Sequence, residues 1–406
     1  MAYAEGVSWP AAAWNAGTGS PTLNRLHGDS LTPYISSQPA ATSYFDALAP
    51  WGLMGRVSMR PDGSVASRCK VNQTSLQTSL NWGDNCYSDT NDEANGQQKM
   101  VYIPRFCSYV DSGTDINWWV GQPGDTFLLQ AGGTHTFNNT TDINPAFIVD
   151  SVAKSSGFVS TFEAYYGGGL LNSIAGVPPT VSTTGALFRT YAEAIGAGWE
   201  ISTIQLMAAI KLLFIIEYAS LNSQLSLGSG VTAGGAILNT GYTAGLGGGV
   251  NYGNASYGVS GTTIPISYRG IENLWGNVRT IVEGLNIKAD YAYWVAPQTN
   301  LRTYSFTLFG TPYANSFPSA EPSGSTQITA VDTTTAAISW AFLPTAASGG
   351  SVTTYFCDNN TTSIGNKVVQ LGGDYGVGTA AGLFHFATSA NGSGAAMGAR
   401  ICYLPP

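Results

Sequence analysis

The chain has 406 residues, enough for two or three domains or for one domain with large insertions. Only 10% of the residues are charged, against roughly 25% in an average soluble protein, while 44% are hydrophobic and 50 are glycine. A net charge of −8, with 16 Lys and Arg and no basic cluster, weighs against nucleic acid as a partner, because phosphate neutralisation needs such clusters.

So little charge, replaced by Gly, Ser, Thr and Asn, favours strands, turns and long irregular loops. Residues 1–45 are rich in small residues and show no periodicity, which predicts an N-terminal arm over 1–47 that packs on a neighbour or a larger assembly. The opening Met1-Ala2-Tyr3-Ala4-Glu5 lacks a basic start and an apolar run, so a secretory leader is not expected. Ala49 to Met59 reads as a short helix or loop, then a strand, with a turn at Pro61-Asp62-Gly63. Residues 71–98 are polar and read as loop. Strands are predicted from Lys99 to Tyr109, around Asn117–Val120, at Phe147–Val149 and from Gly157 to Tyr166.

Two helices follow. The first is predicted from Leu187 to Ile195, stopping at Gly196-Ala197-Gly198. The second runs from Ser202, an expected N-cap, to Leu221. Its residues Ile204, Met207, Ile210, Leu213 and Phe214 recur at helical spacing. Gln205 and Lys211 interrupt its apolar run, which is too short to span a bilayer. A buried amphipathic core helix is expected, and no membrane insertion. Residues 222–263 and 296–350 read as long loops, functional or mobile at that length. Between them come Ile266 to Val278 and strands near 279–287 and 290–295. Closing strands are expected near 352–357, 367–371, 382–387 and 398–404.

The five cysteines, Cys69, Cys86, Cys107, Cys357 and Cys402, form no CxxC, and no Cys/His spacing suits zinc. Buried reduced thiols are one reading; Cys69–Cys86 and Cys357–Cys402 disulfides are the other. His27, His135 and His385 show no catalytic spacing, and no Gly-x-Ser-x-Gly elbow occurs. Gly376 to Ala381 loosely matches a dinucleotide fingerprint but lacks the following helix and acidic residue. Glu272, Glu283 and Asp290 could supply paired carboxylates for glycoside cleavage. The alternative is that Glu272 anchors the core around Arg269 and Trp275. No cofactor, metal or catalytic residue is expected.

The C-terminal stretch is the most informative. Leu371-Gly372-Gly373 and Gly398-Ala399-Arg400-Ile401 form two fixed-looking edges around small, polar and aromatic residues. Tyr375, His385, Asp374, Thr379 and Asn391 offer flat contact area and short hydrogen-bonding groups suited to adaptable recognition. An ordinary closing hairpin with a glycine-rich turn fits the same residues.

Taken in order, the segments APW…M.R…PDGSV, NGQQKMVYIPRF, NPAFIVD, FRTYAEAIGAGW, ISTIQLMAAIKLLFIIEYAS, YRGIENLWGNV and GGDYGVG…AGLFHF…GARICY resemble a family of phage and prophage tail proteins with a C-type-lectin-like fold. That fold is shared with the formylglycine-generating-enzyme superfamily and with variable proteins of diversity-generating retroelements. The resemblance covers roughly residues 48–404 and implies an α+β chain, two helices flanking small twisted antiparallel sheets. Residues 48–406 would be one such domain with insertions near 222–263 and 296–350 and a ligand-binding segment at 371–403.

The implied function is non-enzymatic binding of a host cell-surface glycan or protein at a virion's tail surface, beside other virion proteins and as a homotrimer. Carried over by position, the exposed candidates are Asp374, Tyr375, Val377, Thr379, Ala380, His385, Ala387, Thr388, Ala390, Asn391 and Ser393. Gly372, Gly373, Gly398 and Arg400 would be frame, Arg400 pairing with a carboxylate or carbonyl. Where relatives continue with Trp-Glu-Trp this chain has Arg279-Thr280-Ile281, which weakens any metal or enzymatic role there. The reactive cysteine pair of the formylglycine-generating enzymes is absent. A capsid or tail decoration protein and a polysaccharide depolymerase are the alternatives.

Overall fold

The computed structural model describes residues 3–14, 19–27, 44–68, 96–244, 264–288, 292–296, 305–307, 313–315, 324–335, 338–363, 367–390 and 393–406. It is a mixed α/β structure made mostly of strands in several sheets, most of them antiparallel. At the centre lies the helix Ile204–Tyr218, capped by the Thr203 side chain, which accepts from the Leu206 amide, and closed by Ala219 in a left-handed conformation. The cap is thus one residue later than the sequence suggests. Every residue of this helix is buried, Gln205, Lys211 and Glu217 included, so it is not amphipathic. A helix buried all round has to be surrounded by structure on all sides, and three sheets contribute to the core around it.

One sheet has four strands in the order Asn24–Arg25, Glu5–Trp9, Ile116–Gly121, Cys107–Ser112. The N-terminal residues are therefore built into the fold: Glu5–Trp9 pairs along its length with Ile116–Gly121. Val7, Trp9 and Leu23 join the same core as the central helix. Of the stretch assigned to an N-terminal arm, Glu5–Trp9 and Asn24–Arg25 thus pair within this sheet. Residues 28–43, also assigned to it, lie outside the described residues.

The second sheet has six strands, ordered Trp199–Ile201, Ile401–Tyr403, Ser156–Ser160, Gln98–Pro104, Gly55–Met59, Val65–Arg68. The chain's last strand thus lies inside this sheet, between two strands from the middle of the sequence. The expected strand from Lys99 to Tyr109 is two strands in two sheets, parted at Arg105–Phe106 just after Pro104, which has no amide for the ladder. The first predicted helix is Gly185–Glu193, capped by Thr184, and it packs on Trp199–Ile201.

The third sheet centres on the nine-residue strand Arg279–Ile287. Antiparallel neighbours are Tyr293–Val295 and Lys367–Leu371; Met397–Ala399 joins it in parallel. Beyond Lys367–Leu371 come Phe386–Ser389, Asn359–Thr362 and Gly324–Gln327. The strand expected at 352–357 is a run of turns, in which Tyr355 and Cys357 have φ of 55° and 62°, incompatible with a strand. The pairing strand comes just after it, at Asn359–Thr362. Among the described residues no helix is long and apolar enough to cross a membrane. Cys107, Cys357 and Cys402 are buried free thiols, which overturns the Cys357–Cys402 disulfide; Cys69 and Cys86 lie outside the described residues.

Candidate functional site

The specific-looking motif around Tyr268–Val278 is a buried polar hub. Arg269, with φ of 48°, donates to both carboxylate oxygens of Glu217, at 3.0 and 2.5 Å, and to Asp46. Burial alone would lower its pKa, but these two carboxylates outweigh that and hold the guanidinium charged. Arg56 donates to the carbonyls of Gly270 and Thr243, both at 2.7 Å, and to the Thr243 hydroxyl. Glu272 faces the same segment, accepting from the amides of Gly241 (2.8 Å) and Thr243 (2.6 Å) and from the Thr243 hydroxyl. Glu272 therefore anchors residues 241–243, and Arg269 has other partners. Arg400 donates to the carbonyls of Ser160, Glu272 and Asn273, which is the frame role expected for it.

Glu163 lies beside this hub. Its carboxyl accepts from Asn277 at 2.5 Å, Asn273 at 3.2 Å and the Val278 amide at 3.2 Å. Burial pushes its pKa up to about 7, against the opposing charge of Arg400. Asn273 and Asn277 have φ of 52° and 57°; the side-chain bonds hold this unusual backbone in place.

Above the hub the chain turns out of Lys367–Leu371 into the candidate segment. Gly372 and Gly373 have φ of 90° and 73°, which only glycine adopts at little cost. The loop 374–381 follows, ending in a 3-10 turn at Gly378–Ala380. Its main chain is fastened from outside on both flanks. On one, the Tyr375 amide donates to Asn277 O at 3.2 Å. Within the loop, the Asp374 carboxylate accepts from the Gly376 amide at 2.8 Å. The other Asp374 oxygen lies 2.7 Å from Arg279 Nε, an ion pair by distance without hydrogen-bond alignment. On the opposite flank, the Gly378 amide donates to Thr232 O at 2.8 Å. Gln224 Nε2 donates to Gly378 O at 3.1 Å and Ala381 O at 2.5 Å. Ser223 Oγ accepts from the Leu383 amide at 2.9 Å.

Beneath the loop, Asp358 accepts from the Phe384 amide at 2.7 Å. A Cβ at Gly382 would stand 2.1 Å from Asp358 Oδ1, so only glycine permits this approach. Burial raises the Asp358 pKa well above the ordinary carboxylate range and lowers that of Lys211, in the central helix, to about 8. The His385 ring sits under the loop with Nδ1 3.1 Å from Ala380 O; a carbonyl can only accept, so Nδ1 carries the proton. Nε2 has no partner among the described residues. Burial, reinforced by the Arg279 charge, pulls the pKa of His385 down to about 4 and keeps the ring neutral.

The candidates therefore divide. Thr379 and Ala390 are exposed; Tyr375, Val377, Ala380, Thr388 and Ser393 are half-buried. Asp374, His385 and Ala387 are buried, which corrects their expected exposure. Asp374 turns inward to the Gly376 amide and Arg279, His385 supports Ala380, and Ala387 lies in the strand Phe386–Ser389. Asn391 lies outside the described residues. Among the described residues, the hydroxyls of Tyr375 and Thr379 have no hydrogen-bond partner. Thr388 accepts from the Ser363 amide at 3.1 Å.

Sequence reasoning missed Arg279, Gln224 and Asp358, the loop's outside supports. Arg279 was visible as the departure from Trp-Glu-Trp; nothing marked the other two. The carboxylates considered for glycoside cleavage are poorly placed. Glu272 and Glu283 are each 1% exposed, and Glu283 pairs with Arg189 in the interior. Asp290 lies outside the described residues. Among the described residues no cluster of His, Cys, Asp or Glu could hold a metal ion. No family model matches the chain, and no curated protein matches it significantly.

Proposed function

We propose that the chain is a receptor-binding protein of a virion, at a tail fibre or tail tip, which presents the loop 374–381 and its surroundings to a host cell-surface glycan or protein. The observation that carries this reading is the split within the loop: its main chain is held by groups outside it, while the Tyr375 and Thr379 hydroxyls have no hydrogen-bond partner among the described residues and Val377 is apolar. Such side chains are free to serve a partner, and a held backbone lowers the ordering cost of binding. The ordered resemblance over residues 48–404 supplies the virion context. Two longer helices, a terminal strand inside the six-stranded sheet and an Arg400-centred frame are compatible with a C-type-lectin-like scaffold like that of diversity-generating retroelement proteins. A homotrimer would multiply weak sites.

The burial and saturation of Glu272, and the interior position of Glu283, favour binding over a depolymerase. The test is binding of purified protein to a panel of bacterial cells, untreated, protease-treated and periodate-treated. Binding to a subset of strains, lost on one of the two treatments, supports the reading and separates protein from glycan receptors. An absence of binding across the panel contradicts it and favours a tail or capsid decoration protein.

A further inference from the structure

We propose that Gln224 is the positioning residue of the 374–381 loop, so that segment 222–232 sets the shape of the face as much as the C-terminal residues that form it. This role rests on the receptor-binding reading only for what the loop is used for.

The loop cannot hold one shape alone. It contains glycine at 376 and 378, with 382 just beyond, and supplies for itself only the Ala381-to-Gly378 and Val377-to-Asp374 main-chain bonds and the Asp374 carboxylate's bond to the Gly376 amide. Gln224 adds two more, spending both hydrogens of Nε2 on the carbonyl at the start of the 3-10 turn and on that of the residue that follows it. Its own position is fixed. It lies in the four-residue helix Ser223–Ser226, where Asn222 caps the Leu225 amide at 2.9 Å. The neighbouring Ser223 is buried and takes the Leu383 amide. Thr232, at the far end of the segment, takes the Gly378 amide. Gln224 itself is half-buried, so replacing it removes little core packing.

Amide hydrogen exchange of residues 374–385 in the full chain tests the role. Gln224→Ala should speed exchange there roughly tenfold, the loss of one to two net hydrogen bonds, and leave the rest of the chain unchanged. Gln224→Glu gives a readout that general destabilisation would not move. Its carboxylate would face two carbonyl oxygens at pH 8 and release the loop; near pH 4 the protonated acid would donate to one of them and partly restore it. Rates are compared with wild type at the same pH. Unchanged exchange in Gln224→Ala, or a Gln224→Glu effect independent of pH, overturns the proposal. Cell binding of the same proteins separates the two readings. A wild type that binds no cells removes the receptor role and leaves the exchange result standing. A loosened Gln224→Ala that binds as well as wild type removes the claim that this position shapes the binding face.

Discussion

The hub around Tyr268–Val278 and the loop 374–381 lie next to each other and share unusual backbone, yet they are organised in opposite ways. In the hub the strained positions are Arg269, Asn273 and Asn277, and their side chains are spent on holding the interior together. In the loop the turn positions are glycines, the main chain is held by Asn277, Gln224, Thr232 and Asp374, and the Tyr375 and Thr379 hydroxyls have no hydrogen-bond partner among the described residues. A distinctive motif can thus mark where the scaffold is tied, while the working surface lies in a less distinctive run beside it.

The sharpest way to break this contrast is to cut the hub. Arg269→Met would leave Glu217 and Asp46 as buried carboxylates without their cation, at a cost of about 3–5 kcal/mol in chemical denaturation. A loss below ~1 kcal/mol would mean the pair is not part of what holds the fold.

Glu163 gives a prediction with a pH signature. Its folded pKa, about 7, lies above that of an unfolded carboxyl, so the folded protein keeps the proton over a range where the unfolded chain has lost it. This group therefore lowers stability as pH rises from about 4.5 to about 7, by up to roughly 3 kcal/mol. Glu163→Gln should flatten that part of the stability–pH curve relative to wild type. Parallel curves for the two proteins would show that Glu163 is ionised in the fold.

Glu272→Gln should cost about 1–3 kcal/mol, since at least one of the donors at Gly241 and Thr243 loses its acceptor. Exchange should rise at 240–244 and stay level at 374–381, because the loop is fastened elsewhere. Smallest of all, Tyr375→Ala combined with Thr379→Ala should change stability by no more than ~0.5 kcal/mol for each site. A larger loss would place these side chains in the scaffold.

Much of the scaffold was legible where local periodicity decides it. Both helices, the long strand Arg279–Ile287 and the strand Lys367–Leu371 follow from spacing and β-formers. What failed depended on distant partners. The central helix reads as amphipathic because Gln205 and Lys211 interrupt its apolar run; these two and Glu217 are buried, and groups far along the chain, such as Arg269 for Glu217, meet them there. The N-terminal strand was missed since its five residues gain their order from pairing with Ile116–Gly121. Within the candidate segment the edges were readable from Gly372, Gly373 and Arg400. Which polar residues turn inward was not: Asp374 and His385 look like contacts until Arg279 and the Ala380 carbonyl are brought to them by the fold.

The most direct test of the division between scaffold and surface is one paired measurement on the Tyr375→Ala/Thr379→Ala protein: its melting temperature and its binding to whichever bacterial cells the wild type binds. The predicted result is an unchanged melt with binding reduced at least tenfold. Binding equal to wild type, with the melt also unchanged, would contradict the account and move recognition away from this loop.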